Sequence, residues 1–227
     1  MILFFKQIIW IALKDLRVEL RSPVRIIGVF VFALALILMV AFAAGSTTAI
    51  LQQIAGGTLW VGMLVTSSRA LDQSFAIELE QGALEELVLW PVEAAAIFYG
   101  KALANAVVLL VVGLALTPLV FAVFNAPLEE PWWMLALLLI LGSLALAAPG
   151  TLMSAIAATA RGSSVLLPLL MFPLVLPALM AAAHCTTVVM EGDHWQQAPK
   201  WLAVLVVFNL IHWSLSGILF RYVVEEA

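Results

Sequence analysis

The sequence predicts an all-α membrane protein of six transmembrane helices, preceded by an amphipathic helix lying along the interface. Three observations predict it. Of the 227 residues, 65% are hydrophobic and 11% charged, with a mean hydropathy of +1.14, whereas soluble domains are roughly half apolar and about a quarter charged. The apolar residues gather in runs near the ~20 residues needed to cross a hydrocarbon core about 30 Å thick. Nearly every Lys and Arg also falls on one side of a six-span arrangement, as expected if cytoplasmic flanks retain cations during insertion.

Residues 4–21 have helical periodicity and are not uniformly apolar. Phe5, Ile9, Ala12, Leu16 and Leu20 fall on one face and Lys14, Arg17 and Arg21 on the opposite one. A helix of this pattern lies in the interface, and Ser22 and Pro23 end it and open the next. Spans are expected at 24–44, 50–68, 97–124, 132–160, 165–183 and 201–222. Gly56, Gly57, Thr66, Ser67 and Ser68 dilute the second, and Pro149 with Gly150 is expected to kink the fourth.

Between the second and third spans, residues 71–91 form the largest predicted cytoplasmic loop. Leu71, Phe75 and Leu79 are spaced four apart, Gly82 offers a break, and Ala83, Leu84, Leu87 and Val88 make a second apolar stripe flanked by Glu85 and Glu86. Pro91 stops this second stretch at Trp90. The pattern predicts a short amphipathic hairpin or bent helix at the membrane surface.

Lys6, Lys14, Arg17, Arg21, Arg25, Arg69, Lys101, Arg161 and Arg221 lie on one side of this arrangement and Lys200 alone on the other. Both termini and the 71–91 segment are therefore expected in the cytoplasm. Lys14, Asp15 and Arg17 interrupt the first apolar run and no cleavage site follows, so the spans themselves are expected to target the chain. The single cysteine, Cys185, permits no internal disulfide.

The stretch IELEQGALEELVLWP, taken with Glu93, holds five of the 14 carboxylates. A loop resting on an anionic leaflet favours Lys and Arg, yet neither occurs between Arg69 and Lys101. Acids beside Leu and Trp suit the basic-rimmed pocket of a protein partner better than lipid. No GxxxxGK[ST] phosphate loop occurs, so any ATP is expected on another polypeptide, and the chain itself is expected to be non-catalytic. Within the spans, Asn105, Thr117, Ser154, Thr159 and Asn209 are neutral and no acid is expected at depth, which argues against a proton- or sodium-driven carrier. Gly150, Ser154 and Ala158 form a small-residue stripe suited to close helix packing.

The run LDQSFAIELEQGALEELVLWP, followed by Lys101 in YGKALAN, resembles the cytoplasmic segment of the haem-exporter protein B (CcmB) family. LAAPGTLMSAIAATARGSSVLLPLLMFPLVLPALMAAA is similar to that family's Ala-Pro-Gly and Arg-Gly region and the Leu- and Pro-rich span after it. The similarity covers essentially the whole chain. It implies one ABC-2 exporter-like permease domain over 1–227, with a coupling element at Glu80, Gly82, Leu84, Glu85, Leu87, Val88, Trp90 and Pro91. The N-terminal helix, with Lys14, Arg17 and Arg21, becomes the interfacial elbow.

The implied setting is the bacterial inner membrane. The implied partners are an ABC ATPase subunit that binds ATP, a haem-handling membrane subunit, a small single-span subunit and a haem chaperone, with two copies of this chain per complex. Lipid is an expected partner and nucleic acid is not. The implied work is release or movement of haem for cytochrome c assembly. No cofactor is expected on this chain, and haem enters as a substrate. His184, His194, His212 and Cys185 are available as axial ligands, but none matches a defining family ligand and no Cys-x-x-Cys-His attachment motif occurs. The alternatives are a non-transporting scaffold for the same ATPase and an ABC-2 exporter of another substrate.

Overall fold

The computed structural model describes residues 2–21, 23–80, 93–127, 132–159, 166–192 and 196–225. Among these residues it contains no strand, only helices: α1 (Ile2–Arg21), α2 (Pro23–Ala44), α3 (Thr48–Glu80), α4 (Ala94–Phe124), α5 (Trp132–Thr159), α6 (Leu166–Met190) and α7 (Ala198–Glu225). All but α1 are long and apolar enough to cross a membrane, giving six candidate spans. The all-α, six-span architecture read from the sequence is therefore the one found.

Local chemistry sets several helix ends. Gly45 (φ 81°) and Gly192 (φ 84°) take the left-handed conformation just after α2 and α6, where a residue without Cβ is least strained. Asn125 does the same after α4 (φ 48°, ψ 40°), its N–H donating to the Phe121 carbonyl, and Pro127 prevents continuation. The Gln52 side-chain amide donates to the Asn125 carbonyl at 2.7 Å, tying the start of α3 to this turn.

The bundle is organised around α5, which packs against α3, α4, α6 and α7. Of its span residues 72% are buried, against 11% for α2, which lies at the periphery against α3 and α4. Small residues permit the close approach of helices that membrane packing relies on. Trp60 is only 1% exposed, its six-membered ring lying over Gly142 and its indole N–H donating to Thr186 Oγ1 at 2.9 Å. Gly56 faces the Ala183 carbonyl and Thr187, so α3 and α6 touch nearly backbone to backbone. The expected stripe on α5 is also found. Gly150 lies against Leu71 and Met171, Ser154 donates to the Leu71 carbonyl at 2.6 Å, and Ala158 packs on an apolar cluster that includes Phe98 and Phe220.

Three expectations need correction. Residues 71–80 are not part of a loop: α3 runs unbroken from Thr48 to Glu80, with Leu71 and Phe75 buried in the bundle. Their spacing of four, read as a surface stripe, is the stripe that packs. The fifth span does not stop at 183 but continues to Met190, which puts His184 and Cys185 inside α6 and not at its outer end. Thr186 and Thr187 make this possible, since each hydroxyl donates to the carbonyl four residues earlier, at 2.7 and 3.1 Å. Finally, α1 is an amphipathic helix as expected, but it docks along α4 through Phe4, Ile8, Ile11 and Asp15. The stripe read from the sequence keeps Phe5, Ile9 and Leu20 exposed on its outer side.

Candidate functional site

The YGKALAN motif opens α4 and assembles a polar cluster inside an otherwise apolar end of the bundle. Tyr99 stacks on Trp213 of α7 at 6.2 Å between ring centroids and meets Phe4 of α1 edge-on at 6.5 Å. Gly100 lets α1 settle on α4, because a Cβ there would meet Ile11 Cβ at 2.7 Å and the Ile8 carbonyl at 3.0 Å. That close approach brings Asp15 beside Lys101.

Lys101 was read as a flanking cation, but it is 2% exposed and buried. Its ammonium pairs with Asp15 Oδ2 at 3.2 Å, donates to the Ser74 carbonyl of α3 at 2.9 Å and sits 4.7 Å from the Phe75 ring centroid. A charge out of water is costly unless paired and hydrogen-bonded, and here a carboxylate, a peptide oxygen and a π face supply what water would. The Asp15 side chain is 18% exposed and also pairs with Lys14 at 3.2 Å. An oppositely charged pair thus sits against the start of α4.

The network continues inward through neutral groups. The Asn105 amide donates to Ser74 Oγ at 3.1 Å and to Thr151 Oγ1 of α5 at 2.9 Å. With the Ser154 bond to Leu71, the last turns of α3 before Glu80 are held by α4 and α5, and α4 is in turn bonded to Asp15 of α1. An aromatic sheath of Phe75, Phe98 and Phe220, with centroids 5.6–5.8 Å apart, closes the cluster on the α7 side. Ser154→Ala is expected to cost about 0.6–1 kcal/mol, read as a small fall in the thermal unfolding midpoint in detergent. An unchanged midpoint would show that the Ser154 clamp contributes nothing.

The other predicted site residues are dispersed. Lys14 joins the Asp15 pair, whereas Arg17 and Arg21 are exposed on α1. Glu80 ends α3, and Gly82, Leu84, Glu85, Leu87, Val88, Trp90, Pro91 and His194 lie outside the described residues. His184 is exposed and meets Trp201 edge-on at 4.6 Å, while His212 stacks on Phe208 within α7 at 3.8 Å. Cys185 is buried, its thiol reaching toward the Ala198 carbonyl at 3.6 Å. No group of three or more His, Cys, Asp or Glu able to hold a metal ion occurs among the described residues. What the sequence analysis missed is the Asp15–Lys101 pair. Its signal is Lys101 falling inside an expected span, where a cation needs a partner.

Fold and cluster together define a multi-pass membrane protein whose amphipathic first helix is locked to its fourth, which in turn bonds the third. The model of the CcmB protein family matches residues 6–222, and the chain belongs to that family. It is 34% identical over 206 residues to the heme exporter protein B of Paracoccus denitrificans, covering 87% of this chain and 90% of that protein. It is 32% identical over 179 residues to its Rhodobacter capsulatus counterpart (79% and 82%), and 28% identical over 201 residues to that of Pseudomonas aeruginosa (87% and 88%).

Proposed function

We propose that this chain is the membrane permease subunit of a haem export system serving cytochrome c assembly, and that a separate ATPase drives it through the segment following α3. Membership of the CcmB family and the names of its relatives support the haem assignment. The observation that carries the coupling mechanism is the unbroken run of α3 to Glu80, clamped at Leu71 by α5 and at Ser74 by α4.

A helix held this way transmits force as a rigid rod. ATP binding and hydrolysis on the partner displace the acidic segment that begins at Gln81 and holds Leu84, Glu85, Leu87 and Val88. The displacement passes up α3, and Lys101 and Asn105 hand it to α4 and α5 while Asp15 carries it to α1. The nine-to-one distribution of cations supports cytoplasmic termini and a cytoplasmic coupling segment. In this reading the subunit works as two copies in the bacterial inner membrane, alongside a haem-handling membrane subunit, a single-span subunit and a haem chaperone.

Replacing Leu84 and Leu87 together with Asp puts two charges on the face offered to the ATPase. The double variant is expected to keep its helical content and gel-filtration profile while failing to co-purify the ATPase. In cells it is expected to leave c-type cytochromes without covalent haem. Stoichiometric ATPase capture by the folded double variant ends the coupling assignment.

A further inference from the structure

Helix α1 is fastened at one end of the bundle. Phe4 meets Tyr99, Ile8 and Ile11 meet Gly100, and Asp15 pairs with Lys101, all within the first two turns of α4. Helix α4 is a candidate span from its first residue, Ala94, so this docking site lies where the chain enters the hydrocarbon. A helix held there has one side against protein and gives the rest of its circumference to the membrane boundary.

At 3.6 residues per turn, that remaining circumference divides into two stripes. Phe5, Ile9, Leu13 and Leu20 make an apolar one, all of them exposed. Lys6, Arg17 and Arg21, also exposed, make a cationic one beside it, with Trp10 in its midst. The two acids of α1, Asp15 and Glu19, both fall on the half of the helix that docks. Among the described residues no carboxylate pairs with any of the three outer cations. Arg17 and Arg21 are one turn apart, about 6 Å along the axis, close enough to grip one phosphate group between two planar forks. Lys6 stands roughly 16 Å before Arg17 and serves a separate headgroup.

Free phosphate would use the guanidinium groups and leave the apolar stripe without a partner. An acidic protein surface would have to displace lipid from the apolar stripe before reaching the cations. A phospholipid with a net negative headgroup has both parts in the right order. Its chains lie beside the apolar stripe and its phosphate one stripe further round, with an indole at the headgroup level that Trp favours.

We propose that the outer side of α1 is a binding site for anionic phospholipid, with Arg17 and Arg21 holding one headgroup phosphate and Leu13 and Leu20 receiving its chains. Helix α1 is bonded through Asp15 and Lys101 to the Ser74 carbonyl of α3. Lipid that holds α1 against the membrane therefore also steadies the end of α3, and anionic lipid stabilises the bundle as well as binding to it.

The test places the full chain in nanodiscs of phosphatidylcholine, with and without added phosphatidylglycerol. Thermal unfolding midpoints report stability, and native mass spectrometry reports which lipid stays bound. For the wild type, phosphatidylglycerol is expected to raise the midpoint and to be retained in preference to phosphatidylcholine. Arg17→Gln with Arg21→Gln should weaken that retention by at least about tenfold, since each cation near a charged leaflet is worth roughly fivefold in affinity. The double variant should also lose most of the rise in midpoint while matching the wild type in phosphatidylcholine alone. Lys200→Gln, at an exposed cation where α7 begins, is remote from α1 and should keep both effects. Equal lipid retention by wild type and double variant, loss of the preference with Lys200→Gln instead, or inorganic phosphate reproducing the rise would overturn the proposal. So would a double variant that keeps its phosphatidylglycerol preference but no longer co-purifies another subunit, which would mark the stripe as a protein-docking surface. No readout here involves haem or ATP, so failure of the lipid site leaves the export reading standing.

Discussion

Asp15→Asn is expected to destabilise the bundle by about 3–5 kcal/mol, and adding Lys101→Met to the same chain is expected to recover much of that loss. The single variant removes the Asp15 charge from beside an ammonium that is 2% exposed and whose other contacts include the Ser74 carbonyl and the Phe75 ring. Lys14 offers no substitute, being itself a cation and half exposed. The double variant replaces the buried pair by neutral groups of similar size, a change that is often neutral or even stabilising. Thermal unfolding midpoints of wild type, single and double variants in detergent check this. A single variant that unfolds with the wild type would mean that the pair does not hold α1 in place. A double variant that is as stable as wild type but fails to support cytochrome haemylation would assign the pair a part in transmission as well as in stability.

The second large effect is expected at the centre of the bundle. Gly142→Ala places a methyl group where the Trp60 ring now lies. That ring cannot swing aside, because it is 1% exposed and its N–H is bonded to Thr186, whose hydroxyl is itself bonded to the Ala182 carbonyl. Overpacking of this kind costs typically about 1–3 kcal/mol. Gly57→Ala is the matched control, since nothing lies within 4 Å of a Cβ there, and the better helix propensity of Ala leaves it neutral or more stable by up to about 1 kcal/mol. Equal midpoints for the two variants would show that α3 and α5 can part without cost and would remove Trp60 from the centre of the fold.

Much of the architecture was legible because the membrane imposes it. Long apolar runs and the Gly150–Ser154 stripe each answer to a single constraint that a sequence displays directly. Legibility failed where two constraints overlap on one residue. Helix α1 has apolar positions on more than one face, and periodicity alone favoured Phe5, Ile9 and Leu20, which stay exposed, over Phe4, Ile8 and Ile11, which face α4. Lys101 sits where a flanking cation belongs and is also a core residue, and its partner lies 86 positions away. Leu71 and Phe75 have the spacing of a surface helix and of a packed one alike. At α6, Thr186 and Thr187 look like the polar end of a span, yet their hydroxyls are satisfied by the helix's own carbonyls.

The Asp15–Lys101 bond also orders the birth of the molecule. Between Asp15 and Lys101, 86 residues later, two candidate spans, α2 and α3, leave the ribosome. At about 5–20 residues per second, that interval is roughly 4–17 s. Throughout it the first helix has no docking site, because Gly100 and Lys101, which create that site, do not yet exist. Helix α1 is thus synthesised well before the residues that fasten it, and it docks only after α4 has followed α2 and α3 out of the ribosome.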